Sequence, residues 1–508
     1  MARTIKKLNV MDASFLYLET PEVPMHVGGM AIFQLPENFR GDFFEDLKSM
    51  IGRRLHLAPM LTWKLAQVPL DLDRPSWIED DHFDIDRHIF RGALPAPSDF
   101  ATLQRIVGWL HAKLLNRARP LWEIYVFDDL PDNQVALYSK MHHACIDGGA
   151  GIAMTEILYD VTPTPREAAK PARKSSKKSD ERDFISAIVA SSMQFWSVEE
   201  LQRSPATIET PRLGGTDLAS ILADALMEGI QQSRRFMQGL PDLMRMLSDV
   251  GSKLASSDGI NDLKKMIAPP TPLNGAISSE RSFAAASLSL PRVKAVAAKA
   301  GAKINDVVLA ISSGVIRQHL LNQNALPEKS LTAFVPISTR EAGDSSASNQ
   351  VMGMICTLCT QIEDPKARLE MIFAEAAKSK ELSMPLKQLM PLVTESVALG
   401  TPMGIQMLSL LYSRSNLANV LPPAVNVGIS NVFGPKVTLY ANGAELLHSY
   451  PVSIVTHGMG LNITLQSYRD HLDFGFIAAA NILPDVQVIA DALPDELAKL
   501  EQAYGLAA

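Results

Sequence analysis

The stretch from Pro163 to Arg182 constrains this chain more than any other. It opens Pro163-Thr164-Pro165 and continues with Lys170, Arg173, Lys174, Lys177 and Lys178 scattered among Ala, Ser and Pro. A segment so basic and so poor in apolar side chains cannot bury enough surface to offset the entropy of ordering itself. It reads as a solvated tether, with contact to anionic lipid headgroups as the sharper alternative. The chain must therefore build its core separately on either side. Its 508 residues exceed what one hydrophobic core ordinarily serves. The division read from the sequence is an N-terminal unit over 1–162, a flexible basic linker over 163–183, a helical crossover over 184–270 and a C-terminal unit over 271–508.

Both units read as mixed α/β. In the first, Val27–Leu35 has strand character, Phe43–Ile51 carries a helical apolar stripe, and a longer helix is expected over Asp99–Asn116. Pro120–Phe127, the turn residues Asp128–Asn133 and the apolar run Val135–Met141 then predict a hairpin. The crossover is helical and Met-rich, with Met227, Met237 and Met244 among its leucines. Such a stripe is usually core, but methionine also adapts to flexible apolar ligands. In the second unit, strands are expected at Ser282–Leu290, Leu331–Ile337, Val351–Ile362, Val425–Ile429, Lys436–Ala441, Pro451–His457, Gly460–Ser467 and His471–Ala478. Helices are expected at Pro291–Ala300, from Asn305 to Leu321, over 366–415 and at Val486–Leu500. Two units of one texture joined by a long crossing segment predict a bilobed enzyme with its site between the lobes.

The hairpin delivers the densest chemistry in the chain, His142-His143-Ala144-Cys145-Ile146-Asp147-Gly148, at a strand end before a helix. There a side chain can project into a cleft. The run lacks the H-E-x-x-H pattern of a zinc helix, and no further Cys/His cluster supplies ligands, so no metal is expected. G-x-S-x-G is absent, which argues against a serine triad. Two readings remain open on the residues alone. A histidine acts as general base near neutral pH, or the pair satisfies buried backbone groups while Asp147 caps the following helix.

A net charge of −7 gives no sign of nucleic-acid binding. The cysteines Cys145, Cys356 and Cys359 form neither a disulfide framework nor a four-ligand zinc set, and Cys356 and Cys359 are expected to be buried thiols. The N-terminus lacks the apolar core of a signal peptide, and no run approaches the roughly 18 apolar residues of a membrane span. The expected place is the cytoplasm, with peripheral membrane contact still open.

His-His-x-x-x-Asp-Gly resembles the signature of the CoA-dependent acyltransferase superfamily, with its chloramphenicol acetyltransferase-like lobes. Flanking segments narrow the resemblance to the bacterial wax ester synthase/diacylglycerol acyltransferase family. They are Met11-Asp12-Ala13-Ser14-Phe15, Pro120-Leu121-Trp122-Glu123, Asn305-Asp306-Val307-Val308-Leu309-Ala310, Pro336-Ile337-Ser338-Thr339-Arg340, Ser348-Asn349-Gln350-Val351-Met352-Gly353 and Ser430-Asn431-Val432-Phe433-Gly434-Pro435. These run in order over nearly the whole chain. Phe433 stands where the family pattern has proline, and Ala478-Ala479-Ala480 lacks a charge often found there. Both departures bear on chain-length preference, the first by reshaping a pocket wall.

The resemblance implies an α/β fold of two lobes, each a mixed, mostly antiparallel sheet with helices, and an active site at their interface. It implies that His143 is the general base. His143 would deprotonate the hydroxyl of diacylglycerol or a long-chain fatty alcohol, which attacks the thioester of the co-substrate acyl-CoA without an acyl-enzyme. His142 would be a positioning or packing residue, and Asp147, beside Gly148, a loop carboxylate paired with Arg340 or, second, Arg281. Asn305 is expected as an oxyanion donor or a helix N-cap, and Pro120 and Trp122 as shaping the hairpin and acceptor side or as core. No cofactor is implied. Basic side chains for the CoA phosphates have no assigned positions. Peripheral contact with the inner face of the plasma membrane or with lipid inclusions fits such substrates. The competing expectations are a superfamily acyltransferase for short-chain, sugar or polyketide alcohols, and a non-catalytic lipid-inclusion protein.

Overall fold

The computed structural model describes residues 5–66, 74–146, 150–167, 268–338, 351–376 and 417–506, together with Ser409, Tyr412 and Ser413. The basic linker beyond 167, the helical crossover up to 267, most of the helical stretch 366–415, and the site candidates Asp147, Gly148 and Arg340 lie outside the described residues.

The N-terminal stretch runs β1 (Ile5–Lys7), α1 (Val10–Leu18), β2 (His26–Gln34), α2 (Phe43–Arg54), β3 (Trp63–Ala66), β4 (Ser76–Glu79), β5 (Ile89–Gly92), α3 (Phe100–His111), β6 (Trp122–Phe127), β7 (Gln134–His142), α4 (His143–Ile146) and α5 (Ala150–Leu158). The C-terminal stretch runs β8 (Arg281–Ser289), α6 (Leu290–Ala300), α7 (Ile304–Asn322), β9 (Thr332–Ser338), β10 (Val351–Thr357), β11 (Val427–Val432), β12 (Tyr440–Ala441), β13 (Ala444–Val452), β14 (Leu461–Tyr468), β15 (His471–Ala479), α8 (Gln487–Asp491) and α9 (Leu493–Ala503). Local chemistry places the helix ends. Asn9, Asp42 and Asp99 each accept the backbone N–H three residues on and start α1, α2 and α3. Ser289 and Pro291 open α6, and Gly301 at φ 64° closes it.

Two six-stranded sheets dominate, ordered β12-β13-β2-β7-β6-β5 and β10-β9-β11-β14-β15-β8, beside a small β1-β4-β3 sheet. The pairs β5–β6, β9–β11 and β11–β14 are parallel and the others antiparallel, the mixed arrangement expected of the fold class. The two stretches interleave. β12 and β13 come from the C-terminal stretch yet extend the N-terminal sheet, with β13 pairing along β2 from Glu445↔Gln34 to Val452↔Gly28. The strand expected at Pro451–His457 is thus corrected to Ala444–Val452, and the one expected at Lys436–Ala441 shrinks to Tyr440–Ala441. Pro451 is tolerated because β12 pairs only with Ala444 and Glu445, so among the described residues that edge of β13 carries no ladder farther on.

Of the four apolar clusters among the described residues, three hold the layers. Leu47, Ile51 and Ile157 pack α2 and α5 on Phe33, Ile124 and Val135 of the first sheet. Val307, Ile311 and Val315 pack α7 on Ala333, Val335 and Ile463 of the second. Between the sheets, Leu103 and Val107 of α3 meet Met30 and Tyr138 from one side and Phe283 and Ile477 from the other. Each valine, leucine, isoleucine, phenylalanine or methionine among them, once buried, contributes about 1.5–3 kcal/mol. The sheets come close at Gly475 of β15, where a Cβ would stand 1.7 Å from the Pro451 carbonyl oxygen. Cys356 and Cys359 are both buried in the second-sheet core with free thiols.

Candidate active site

The motif sits where β7 gives way to α4. His142 pairs with His26 across β7 and β2, and its N–H donates to the Leu121 carbonyl at 2.9 Å, while the His143 N–H donates to the Met25 carbonyl at 2.8 Å. The two rings then diverge. His142 is fully buried, and its Nδ1 accepts the Ala144 N–H at 3.1 Å. In the neutral ring the proton is therefore on Nε2, which lies 3.2 Å from Oε2 of Glu19. His143 is half-buried and stacks on Phe15, with ring centroids 3.9 Å apart and planes at 19°.

His143 lines a cavity of about 700 Å³ between the two sheets. One wall is Leu137 and Met141 of β7 with Ser449 of β13, and the opposite wall is Phe334, Ser430 and Thr464 of the second sheet. Methionines reach it from separate elements: Met11 on α1, Met25 before β2, Met141 on β7, Met154 on α5 and Met459 before β14. A mostly apolar cavity of this size with a few converging polar groups is what a ligand site requires. Burial, with His142 alongside, pulls the His143 imidazole down to about 4. It is thus neutral at physiological pH, the protonation state that a general base requires.

The remaining candidates divide. Asn305 is in the first turn of α7, which covers the face of the second sheet bearing Ala333 and Val335, whereas Phe334 and Pro336 face the cavity. Successive residues of a strand point to opposite faces, so Asn305 lies across the sheet from His143. It is not the N-cap either: the Asp306 carboxylate accepts the Lys303 N–H at 2.9 Å and closes that end. Trp122 is a core residue, 2% exposed, with its indole N–H donating to the Leu61 carbonyl at 2.7 Å and its ring stacked on His88. Pro120 is buried beside it, its carbonyl accepting the Trp122 N–H. Arg281 donates to the carbonyls of Ser278, Glu280 and Glu22, joining β8 to the loop after α1. Phe433 is 46% exposed and outside the cavity wall, which Val432 and Pro435 supply. The expected reshaping of the wall by Phe433 is therefore corrected.

The sequence reading missed Glu19. Its carboxylate, nearly buried, lies against His142, accepts the Met25 N–H at 3.2 Å and pairs with Arg117 at 2.8 Å. The available signal was its spacing from Phe15, one turn apart on one helix face. Lys140 was missed as well. It is 1% exposed on β7, with Nζ 3.1 Å from Glu123 on β6 and donating to the carbonyls of Leu110 and Lys113. Among the described residues, no group of three or more His, Cys, Asp or Glu could hold a metal ion.

The titration of His143 carries a testable consequence. A base held near 4 stays competent above that pH and is lost as pH falls through it. The acid limb of kcat/KM is expected at about pH 4, not near the ordinary 6.5. Rates measured from about pH 3 to about pH 8, with circular dichroism to verify folding, would show it; a limb near 6.5 contradicts it.

Comparison with known proteins places this geometry. Residues 8–308 match the wax ester synthase/diacylglycerol acyltransferase catalytic domain, and residues 347–501 match the C-terminal domain of the same family. The chain is 33% identical over 506 residues to the O-acyltransferase WSD of Acinetobacter baylyi, covering 98% of this chain and 97% of that one. It is 34% identical over 505 residues to a protein of Mycobacterium tuberculosis named as a diacylglycerol O-acyltransferase, covering 98% and 100%. The solved wax ester synthase/diacylglycerol acyltransferase of Marinobacter aquaeolei VT8 superposes with a TM-score of 0.64 at 28% identity, covering 99% of this chain and 100% of that one. With both halves matched and the histidine-lined cavity at the junction of the two sheets, the chain belongs to the wax ester synthase/diacylglycerol acyltransferase family.

Proposed function

We propose that this protein is an acyl-CoA-dependent O-acyltransferase. It moves a long-chain acyl group to the hydroxyl of diacylglycerol, making triacylglycerol, or of a long-chain fatty alcohol, making a wax ester. The observation that carries the reading is His143, held neutral on the wall of an apolar cavity between the sheets. The relatives named as diacylglycerol O-acyltransferase and O-acyltransferase WSD support the substrate class.

In this mechanism the His143 imidazole takes the proton of the acceptor hydroxyl as its oxygen attacks the thioester carbonyl. The tetrahedral intermediate collapses, the C–S bond breaks, and the proton passes to the departing CoA thiolate. The methionine-lined wall accommodates acyl chains, where each buried methylene contributes about 0.8 kcal/mol. Asp147 is retained as the loop carboxylate, with Arg340 as its first candidate partner and Arg281, which also donates to the carbonyls of Ser278, Glu280 and Glu22, as the second. The division at 162, 183 and 270 is kept as the covalent plan of the two lobes, with the β12–β13 segment lent to the first sheet.

No helix of the described residues is long and apolar enough to cross a membrane. The proposal places the protein in the cytoplasm, peripheral on the inner membrane face or on lipid inclusions, because both acceptors partition into lipid. The test is an acceptor panel with palmitoyl-CoA: hexadecanol, dioleoylglycerol and small alcohols. Ester formation with hexadecanol or dioleoylglycerol is expected. Exclusive use of small alcohols, or binding without turnover, contradicts the proposal.

A further inference from the structure

We infer that Glu19 is a positioning residue for the general base: its carboxylate holds both the His142 ring and the Met25 backbone, and through them sets the backbone of His143. The inference rests on His143 being the base.

The geometry is a two-handed clamp from one helix. Phe15 near the end of α1 covers the ring of His143, and Glu19, one turn on, meets the ring of His142. Oε2 of Glu19 lies 3.2 Å from His142 Nε2 and accepts the Met25 N–H at 3.2 Å. The carbonyl of that same Met25 receives the His143 N–H. The other oxygen, Oε1, is held by Nε and Nη2 of Arg117 at 3.1 and 2.8 Å, and Arg117 Nη2 also donates to the Leu16 carbonyl. The side chain of Glu19 is 3% exposed, so water does not compete for these contacts. An ion pair serving only to close α1 would engage Arg117 alone, whereas here half of the carboxylate is turned to the motif. The Ala144 N–H on His142 Nδ1 leaves the neutral ring's proton on Nε2, the nitrogen that the Glu19 carboxylate faces at 3.2 Å.

Glu19→Gln keeps the shape but weakens the acceptor. It is expected to lower kcat by on the order of 10- to 100-fold, the loss typical when the group orienting a functional histidine is removed. KM for palmitoyl-CoA and hexadecanol should stay within about twofold, and Glu19→Asp, which keeps the charge, should recover part of the rate. His142→Asn retains an acceptor for the Ala144 N–H but cannot reach Glu19. The double variant Glu19→Gln with His142→Asn should therefore lose no more than the worse single variant. Additive losses, a change confined to KM, or a change only in the folded fraction overturns the inference. His143→Gln is assayed alongside. If it is inactive while Glu19→Gln keeps wild-type kcat, the positioning role alone fails; if it keeps full activity, the assignment of the base fails.

Discussion

Replacing Arg54 with alanine is expected to destabilise the protein by about 3 to 5 kcal/mol, the usual cost of leaving a buried charge without its partner. Arg54 and Asp160 are 1% and 3% exposed, with Nη2 of Arg54 2.7 and 3.0 Å from the two carboxylate oxygens. Nη1 also donates to the Ile157 carbonyl. Asp160 exchanges backbone hydrogen bonds with Tyr440, so the pair ties α2 and the end of α5 to the incoming β12. Arg166, 3.4 Å from Asp160, leaves some compensation and places the loss toward the lower end of the range. Urea denaturation followed by circular dichroism measures it. Arg54→Met combined with Asp160→Asn should recover part of the loss, because neither member of the buried pair is then left charged, although Arg166 loses its 3.4 Å contact. A single-variant effect below about 1 kcal/mol would show that the pair is solvated in solution.

His143→Gln is the second large effect, expected in rate and not in stability. Removing a general base costs about 10²- to 10⁴-fold in kcat. The ring is half-buried at a cavity wall and its backbone bond to Met25 survives the change, so the fold should hold. KM for palmitoyl-CoA should move little, since the apolar cavity and not the imidazole supplies chain affinity. A variant with wild-type kcat would remove His143 from the mechanism.

What the sequence revealed follows the range of the interactions. The hairpin β6–β7 was legible because strand pattern and the turn residues Asp128–Asn133 act over a few positions, and it brought His143 to a strand end as expected. The helix caps at Asp99 and Ser289 are equally local. The pairing of β13 with β2 was not legible. A strand's own residues encode its extended form, whereas its partner lies hundreds of positions away. The strand expected from Pro451 to His457 therefore lies almost wholly before Pro451, at Ala444–Val452.

The site divides in the same way. His143 announced itself by its neighbours in the chain. Asn305 had the right chemistry but the wrong face of the second sheet, and which face a flanking helix covers is decided only in the folded core. The methionine stripe of the crossover lies outside the described residues, while the methionines that line the cavity come singly from five places and leave no stripe to read. Glu19 stands 123 positions before His142, so only folding reveals their contact.

The central claim is direct transfer from acyl-CoA to an alcohol at His143. It is tested by the release of CoA thiol in a single turnover, with palmitoyl-CoA bound and hexadecanol added or withheld. The account predicts thiol release only with the alcohol, one ester per thiol, and loss of that release in His143→Gln. A burst of thiol without alcohol that leaves palmitate on the protein, or undiminished release by the variant, would contradict it.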